Sequence, residues 1–126
     1  MTSSPLADLH LSPALVDLDL HPDRFAEIPG LRGLRIARLG QLGNKTLEVL
    51  EAAKGVVVPA LTHPSSESGR VLSGSLRFMR DGVVRDLKAG DTWNVEAGKL
   101  QGPHLVLEDG TRVAILREGK SALDVV

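Results

Sequence analysis

Two side chains four positions apart, His63 and Glu67, are the pair in this sequence best placed to do chemistry. They lie in the stretch Leu61-Thr-His-Pro-Ser-Ser-Glu-Ser-Gly-Arg-Val-Leu-Ser-Gly74, which continues into strand-like residues and a glycine turn. An imidazole beside a carboxylate can ligate a divalent ion. Without an ion, Glu67 can accept a hydrogen bond or a proton from His63, or act alone as a general base. Ser65, Ser66 and Ser68 flank the pair, but no local context marks any of them as an activated nucleophile. The chain has no cysteine, which excludes disulfides and thiolate metal sites and fits a cytoplasmic location. His10 and His21 match no motif and read as surface residues.

Such a pair must be held by strands, in which residues i and i+2 face the same way. The sequence supplies them. Leu34–Leu39 and Thr46–Leu50 alternate apolar and polar residues, with Gly43-Asn44 as the turn between them. Val56–Val58 is a β-branched run stopped by Pro59, and Val71-Leu72 leads to Gly74. Ser75–Met79 and Val83–Leu87 flank Asp81-Gly82, the strongest hairpin signal in the chain. Thr92–Val95 follows Gly90-Asp91, and Leu105–Glu108 and Thr111–Leu116 flank Asp109-Gly110. Short strands punctuated by turn residues at intervals of roughly ten predict an all-β sandwich or barrel. Nearer the N-terminus, Val16–Leu20 reads as a half-buried strand, and residues 24–28 as one helical turn with Asp23 near its start.

Composition narrows the partners. At 126 residues the chain is one domain by size. Basic and acidic residues number 15 and 16, well mixed, which argues against a nucleic-acid groove or an anionic membrane. Aromatics amount to 2%, namely Phe25, Phe78 and Trp93, too few for a base-stacking platform. The first residues carry no basic patch followed by an apolar run, and no apolar stretch is long enough to span a bilayer.

The motifs resemble those of the cupin superfamily. That family's first signature runs Gly, five residues, His-x-His, three or four residues, Glu, six residues, Gly. Here Gly55, His63, Glu67 and Gly74 match, and Leu61 stands at the first histidine. The second signature runs Gly, five residues, Pro-x-Gly, two residues, His, three residues, Asn. Gly90 and Gly98 match it, while Glu96 replaces the proline, Gln101 the histidine and Leu105 the asparagine. Together the two signatures span close to half the chain. The resemblance implies an all-β, cupin-type jelly-roll β-barrel over residues 34–126. Residues 1–33 would form an arm that packs on the barrel or swaps into a partner's, making a homodimer.

The resemblance also implies one divalent metal (iron, manganese, nickel or zinc) at the barrel mouth. His63 and Glu67 would be retained ligands. Gln101 offers only a neutral amide oxygen, a weaker donor than imidazole. His104 lies three residues beyond Gln101, a spacing that faces the opposite side of a regular strand. Gly102-Pro103 intervenes, so a bulge there swings His104 inward, or else His104 is an exposed loop residue. Trp93 lines the barrel or fills the core. Two functions follow. One is a metal-dependent dioxygenase, isomerase or lyase on a small organic substrate, with Glu67 as ligand or catalytic base. The alternative is a non-catalytic cupin that has lost its metal and binds a small molecule or serves as a sensor. Leu61 and Gln101 favour this alternative, while His63, Glu67 and His104 favour the metal-dependent enzyme, which is the first expectation.

Overall fold

The computed structural model of the protein describes residues 25–42 and 45–118, which form ten strands and no helix. They are β1 (Ala26–Ile28), β2 (Leu31–Leu42), β3 (Lys45–Ala52), β4 (Val57–Val58), β5 (Glu67–Ser73), β6 (Ser75–Arg80), β7 (Val83–Lys88), β8 (Thr92–Val95), β9 (His104–Val106) and β10 (Thr111–Glu118). A six-stranded antiparallel sheet has the order β1-β2-β3-β10-β5-β8, and a four-stranded one the order β4-β9-β6-β7. The last described strand, β10, thus lies between β3 and β5, the non-sequential pairing of a jelly roll.

The alternation read from the sequence decides which side chains meet. Leu34, Ile36, Leu50 and Val71 of the larger sheet face Leu76, Phe78, Leu87 and Val106 of the smaller one in a single buried cluster. Each such buried aliphatic side chain contributes about 1.5–3 kcal/mol. The β6–β7 hairpin turns at Asp81-Gly82, where both residues have positive φ (51° and 75°), as a two-residue turn of this hand requires. On the outer face of the larger sheet, Phe25 packs with Ala37, Val49 and Ala114. The Arg35 and Arg112 guanidinium groups lie 5.3 and 5.1 Å from its ring centre, and both bond Glu51.

One expectation is corrected. The helical turn over residues 24–28 is instead strand β1, paired with β2 through Ala26↔Ile36 and Glu27↔Arg35. Tertiary pairing overrides the local signal there. The jelly roll is as expected, and among the described residues no backbone ladder closes its two sheets into a barrel. Where β7 and β8 end their sheets, arginine side chains cross the seam instead. Arg85 donates to the Thr92 carbonyl at 3.0 Å, and Arg80 donates to that of Asn94. The expected strand at Val16–Leu20, most of the arm over residues 1–33 and the Gly43-Asn44 turn lie outside the described residues.

Candidate functional site

A cavity of about 60 Å³ opens between the sheets. Its apolar walls come from Leu50, Val58, Leu61, Leu76, Val113 and Ile115, with Phe78 and Trp93 on one side. Its polar end is built from His63, Glu67, Gln101, His104 and Arg117. All four side chains expected at a site therefore converge in one place, and each is at least nine-tenths buried.

Strand pairing explains the convergence. Glu67 opens β5 and faces Arg117 of β10 on one side and Val95 of β8 on the other. Directly opposed residues share a face of the sheet. Leu61 and Gln101 form an isolated two-bond bridge, N to O at 2.9 and 3.0 Å, so this opposed pair meets at the cavity mouth. His63 is held in the β4–β5 loop by the Gly98 amide, which donates to its carbonyl at 2.9 Å. The chain then turns at Gly102 (φ +90°), where a Cβ would sit 3.0 Å from the Pro59 carbonyl oxygen. That break shifts the parity, and His104 opens β9 facing inward beside Gln101.

The hydrogen bonds run in one direction. The Met79 amide donates to His104 Nδ1 at 3.1 Å. A backbone N–H can only donate, so the neutral ring carries its proton on Nε2. That Nε2–H faces Gln101 Oε1 at 3.3 Å. The other end of the Gln101 amide donates to Glu67 Oε2 at 3.1 Å, and Trp93 Nε1–H donates to the same oxygen at 3.1 Å. Arg117 Nη1 donates to His63 Nδ1 at 3.3 Å, which puts the His63 proton on Nε2. That nitrogen lies 3.5 Å from Glu67 Oε1. Phe78 stacks on His104, ring centres 4.3 Å apart and planes 13° from parallel, and fixes the ring's orientation.

Burial decides the charges. It pushes the His104 pKa down to about 4, against the opposing pull of the Glu67 carboxylate. Burial also lowers the pKa of His63, with the Arg117 charge acting the same way and Glu67 opposing. Both rings are thus neutral at pH 7. Arg117 Nη2 sits 3.5 Å from Glu67 Oε1 and 3.5 Å from Glu48 Oε1. Arg38 Nε approaches the other Glu48 oxygen at 3.5 Å. Among the described residues, neither Glu48 oxygen accepts a hydrogen bond, and neither does Arg117 Nε donate one.

This donor set does not fit a divalent ion. A ligating imidazole must offer a lone pair. In His104 the Nδ1 lone pair takes the Met79 amide and Nε2 carries the proton. The His63 Nδ1 lone pair takes Arg117. Gln101 turns its oxygen to His104 and its NH₂ to Glu67, and Leu61 has no donor atom. Among the described residues no group of three or more His, Cys, Asp or Glu side chains is disposed to hold a metal. The expected ligand set of His63, Glu67, Gln101 and His104 thus exists as a cluster, with its donors turned on one another.

Three contributors escaped the sequence reading. Arg117 and Glu48 were legible as charges on otherwise apolar strand faces, beside Val113 and Ile115 and beside Leu50 and Ala52. Trp93 as the Glu67 donor was signalled by Gly69, its partner in the β5–β8 register. A Cβ at Gly69 would lie 2.0 Å from the Trp93 ring, so the missing side chain is what seats the indole.

Comparison with known proteins accords with the architecture. A family model described as Cupin domain matches residues 48–117. Among solved structures, KdgF from a Halomonas species superposes with a TM-score of 0.70 at 17% identity, over 81% of this chain and 90% of that one. An RmlC-like cupin from Shewanella frigidimarina gives 0.68 at 24%, over 81% and 87%. The DMSP lyase DddQ from Ruegeria pomeroyi gives 0.63 at 20%, over 77% and 56%. At such identities these likenesses establish the fold alone. No curated protein sequence matches the chain.

Proposed function

Because this chain belongs to the cupin domain family, we propose that it is a small-molecule-binding cupin that uses the family's interior cavity without the family's ion. The observation that carries this reading is the polar end of the cavity, where the hydrogen-bonding groups of His104, Gln101 and Glu67 partner one another in series. Such a network is a preorganised polar wall, not a set of vacant ligands. The remaining walls are apolar. About 10–15 Å³ accommodates one water, so a cavity of about 60 Å³ holds a ligand of roughly five non-hydrogen atoms. A short aliphatic body with one hydrogen-bond-accepting head, placed against the second N–H of Gln101, matches that lining.

Catalysis by Glu67 acting as a base is the less favoured reading. Trp93 and Gln101 both donate to Oε2, and His63 and Arg117 crowd Oε1, so no oxygen is directed freely at a substrate. One of the similar structures is named a lyase, but at 20% identity it transfers no activity to this chain.

Trp93, the single tryptophan, lines the cavity and reports its occupancy. Titrating the protein with a series of alcohols and carboxylates of two to five carbons should shift its emission saturably, with an optimum length. Leu61→Trp, read in parallel by calorimetry, should fill the cavity and abolish binding. A flat response to the whole series, together with a stoichiometric divalent ion in the purified protein, would reject the reading.

A further inference from the structure

The polar end, with Glu48 beside it, contains more buried charge than a ligand-binding wall needs. Glu48 and Glu67 are 1% and 4% exposed, and two carboxylates this deep require compensating positive charge. In a metal-holding jelly roll an ion supplies such charge. Here arginines supply it from within the chain: Arg38 reaches one Glu48 oxygen at 3.5 Å, and Arg117 lies between the two acids. Its Nη2 lies 3.5 Å from an oxygen of each carboxylate, and its Nη1 lies 3.3 Å from His63 Nδ1. One guanidinium therefore touches both side chains retained from the first signature, His63 and Glu67, and one further acid.

We infer that the Arg117 guanidinium is this protein's tethered replacement for a divalent ion: seated between Glu48, Glu67 and His63, it bridges the two carboxylates, with Arg38 at the other Glu48 oxygen, and keeps metals out. The inference rests on the metal-free reading of the cavity and assigns that state to one residue. Arg117 stands directly opposite Glu67 in the β5–β10 register, so the backbone ladder sets the cation's place. A guanidinium stays charged at any working pH, so it cannot yield the site by losing a proton. Leu61 and Gln101, opposed across the cavity mouth, are then not damage to a metal site. With the charge supplied by Arg117, neither position is called on for an imidazole. Leu61 joins the apolar wall, and Gln101 links His104 to Glu67.

Removing the guanidinium should convert the cluster into an ion site, because two carboxylates and one imidazole nitrogen would face the vacated space. The experiment is calorimetric titration of the full chain with MnCl₂ and ZnCl₂, in the wild type, Arg117→Ala and Leu61→His. The wild type should show no saturable binding. Arg117→Ala should bind one ion per chain, on the order of 100-fold or more tighter than the wild type, because a cation a few ångströms away no longer opposes it. Its thermal midpoint, lowered by the substitution, should rise when the ion is added. The further variant Arg117→Ala with Glu67→Gln should lose that gain. Leu61→His adds an imidazole with the guanidinium in place and should remain ion-free. Stoichiometric binding by Leu61→His overturns the inference, as does a folded Arg117→Ala that binds no better than the wild type. Where Arg117→Ala does not fold, Leu61→His decides alone. Binding by the wild type itself would instead reject the metal-free reading, which separates the two failures.

Discussion

Lowering the pH attacks the cavity through His104. Its pKa falls from the ordinary 6.5 to about 4 because the ring is buried, despite the nearby Glu67 carboxylate. In the unfolded chain the same ring titrates near 6.5. Below that pH the unfolded state takes up a proton that the folded state refuses, so stability is lost as pH falls from about 6.5 toward 4. Each pH unit in that window is worth about 1.4 kcal/mol, so the full effect is about 3 kcal/mol. Below about pH 4 the folded ring also takes the proton, at the cost of the Met79 bond to Nδ1. Urea unfolding at a series of pH values would measure this, in the wild type and in His104→Gln. Glu67, His63 and Arg117 face the same network and are present in both proteins, so the difference between the two curves isolates His104. The wild-type stability should fall more steeply than that of the variant across the window. Parallel curves would refute the assignment of a buried, neutral His104.

Three further outcomes are expected. Gly69→Ala places a methyl 2.0 Å from the Trp93 ring; it should cost about 1–3 kcal/mol in unfolding free energy and shift Trp93 emission as the indole leaves Glu67. Glu67→Gln breaks a buried ion pair and leaves Arg117 with Glu48 alone, so denaturant titration should show a loss of about 3–5 kcal/mol. Asp81→Ala keeps the positive φ of the β6–β7 turn without the side chain that tolerates it, and should lower thermal stability by about 1 kcal/mol with the cavity's ligand response unchanged.

Much of the fold was legible because its signals are local. Alternation in Leu34–Leu39, Thr46–Leu50 and Ser75–Met79 marks strands that bury one face, and Asp81-Gly82 supplies the positive φ values its turn needs. Residues 24–28 misled because nothing in so short a run reveals that β2 will offer a pairing edge. The site was half legible. His63 and Glu67 stood out by spacing, and the break at Gly102-Pro103 that turns His104 inward is visible as a break in the sequence. What the imidazoles bond is another matter. The Met79 amide reaches His104 across 25 positions, and Arg117 reaches His63 across 54. Only the sheet register brings such groups together, and the register follows from the whole fold. The open seam between β7 and β8 is hidden for the same reason, since Arg80 and Arg85 read simply as charged strand residues.

Two protons, one on each buried imidazole, decide whether the polar end of the cavity is closed. Long-range nitrogen–proton NMR of the imidazole rings at pH 7 reads this directly. His63 and His104 should both be neutral with the proton on Nε2, the arrangement that lets Arg117 and the Met79 amide donate to Nδ1. Both sets of ring shifts should stay fixed when zinc is added. A proton on Nδ1 of either ring, or a ring nitrogen that shifts to a metal-bound position on zinc addition, would contradict a cavity whose polar end is closed by its own side chains.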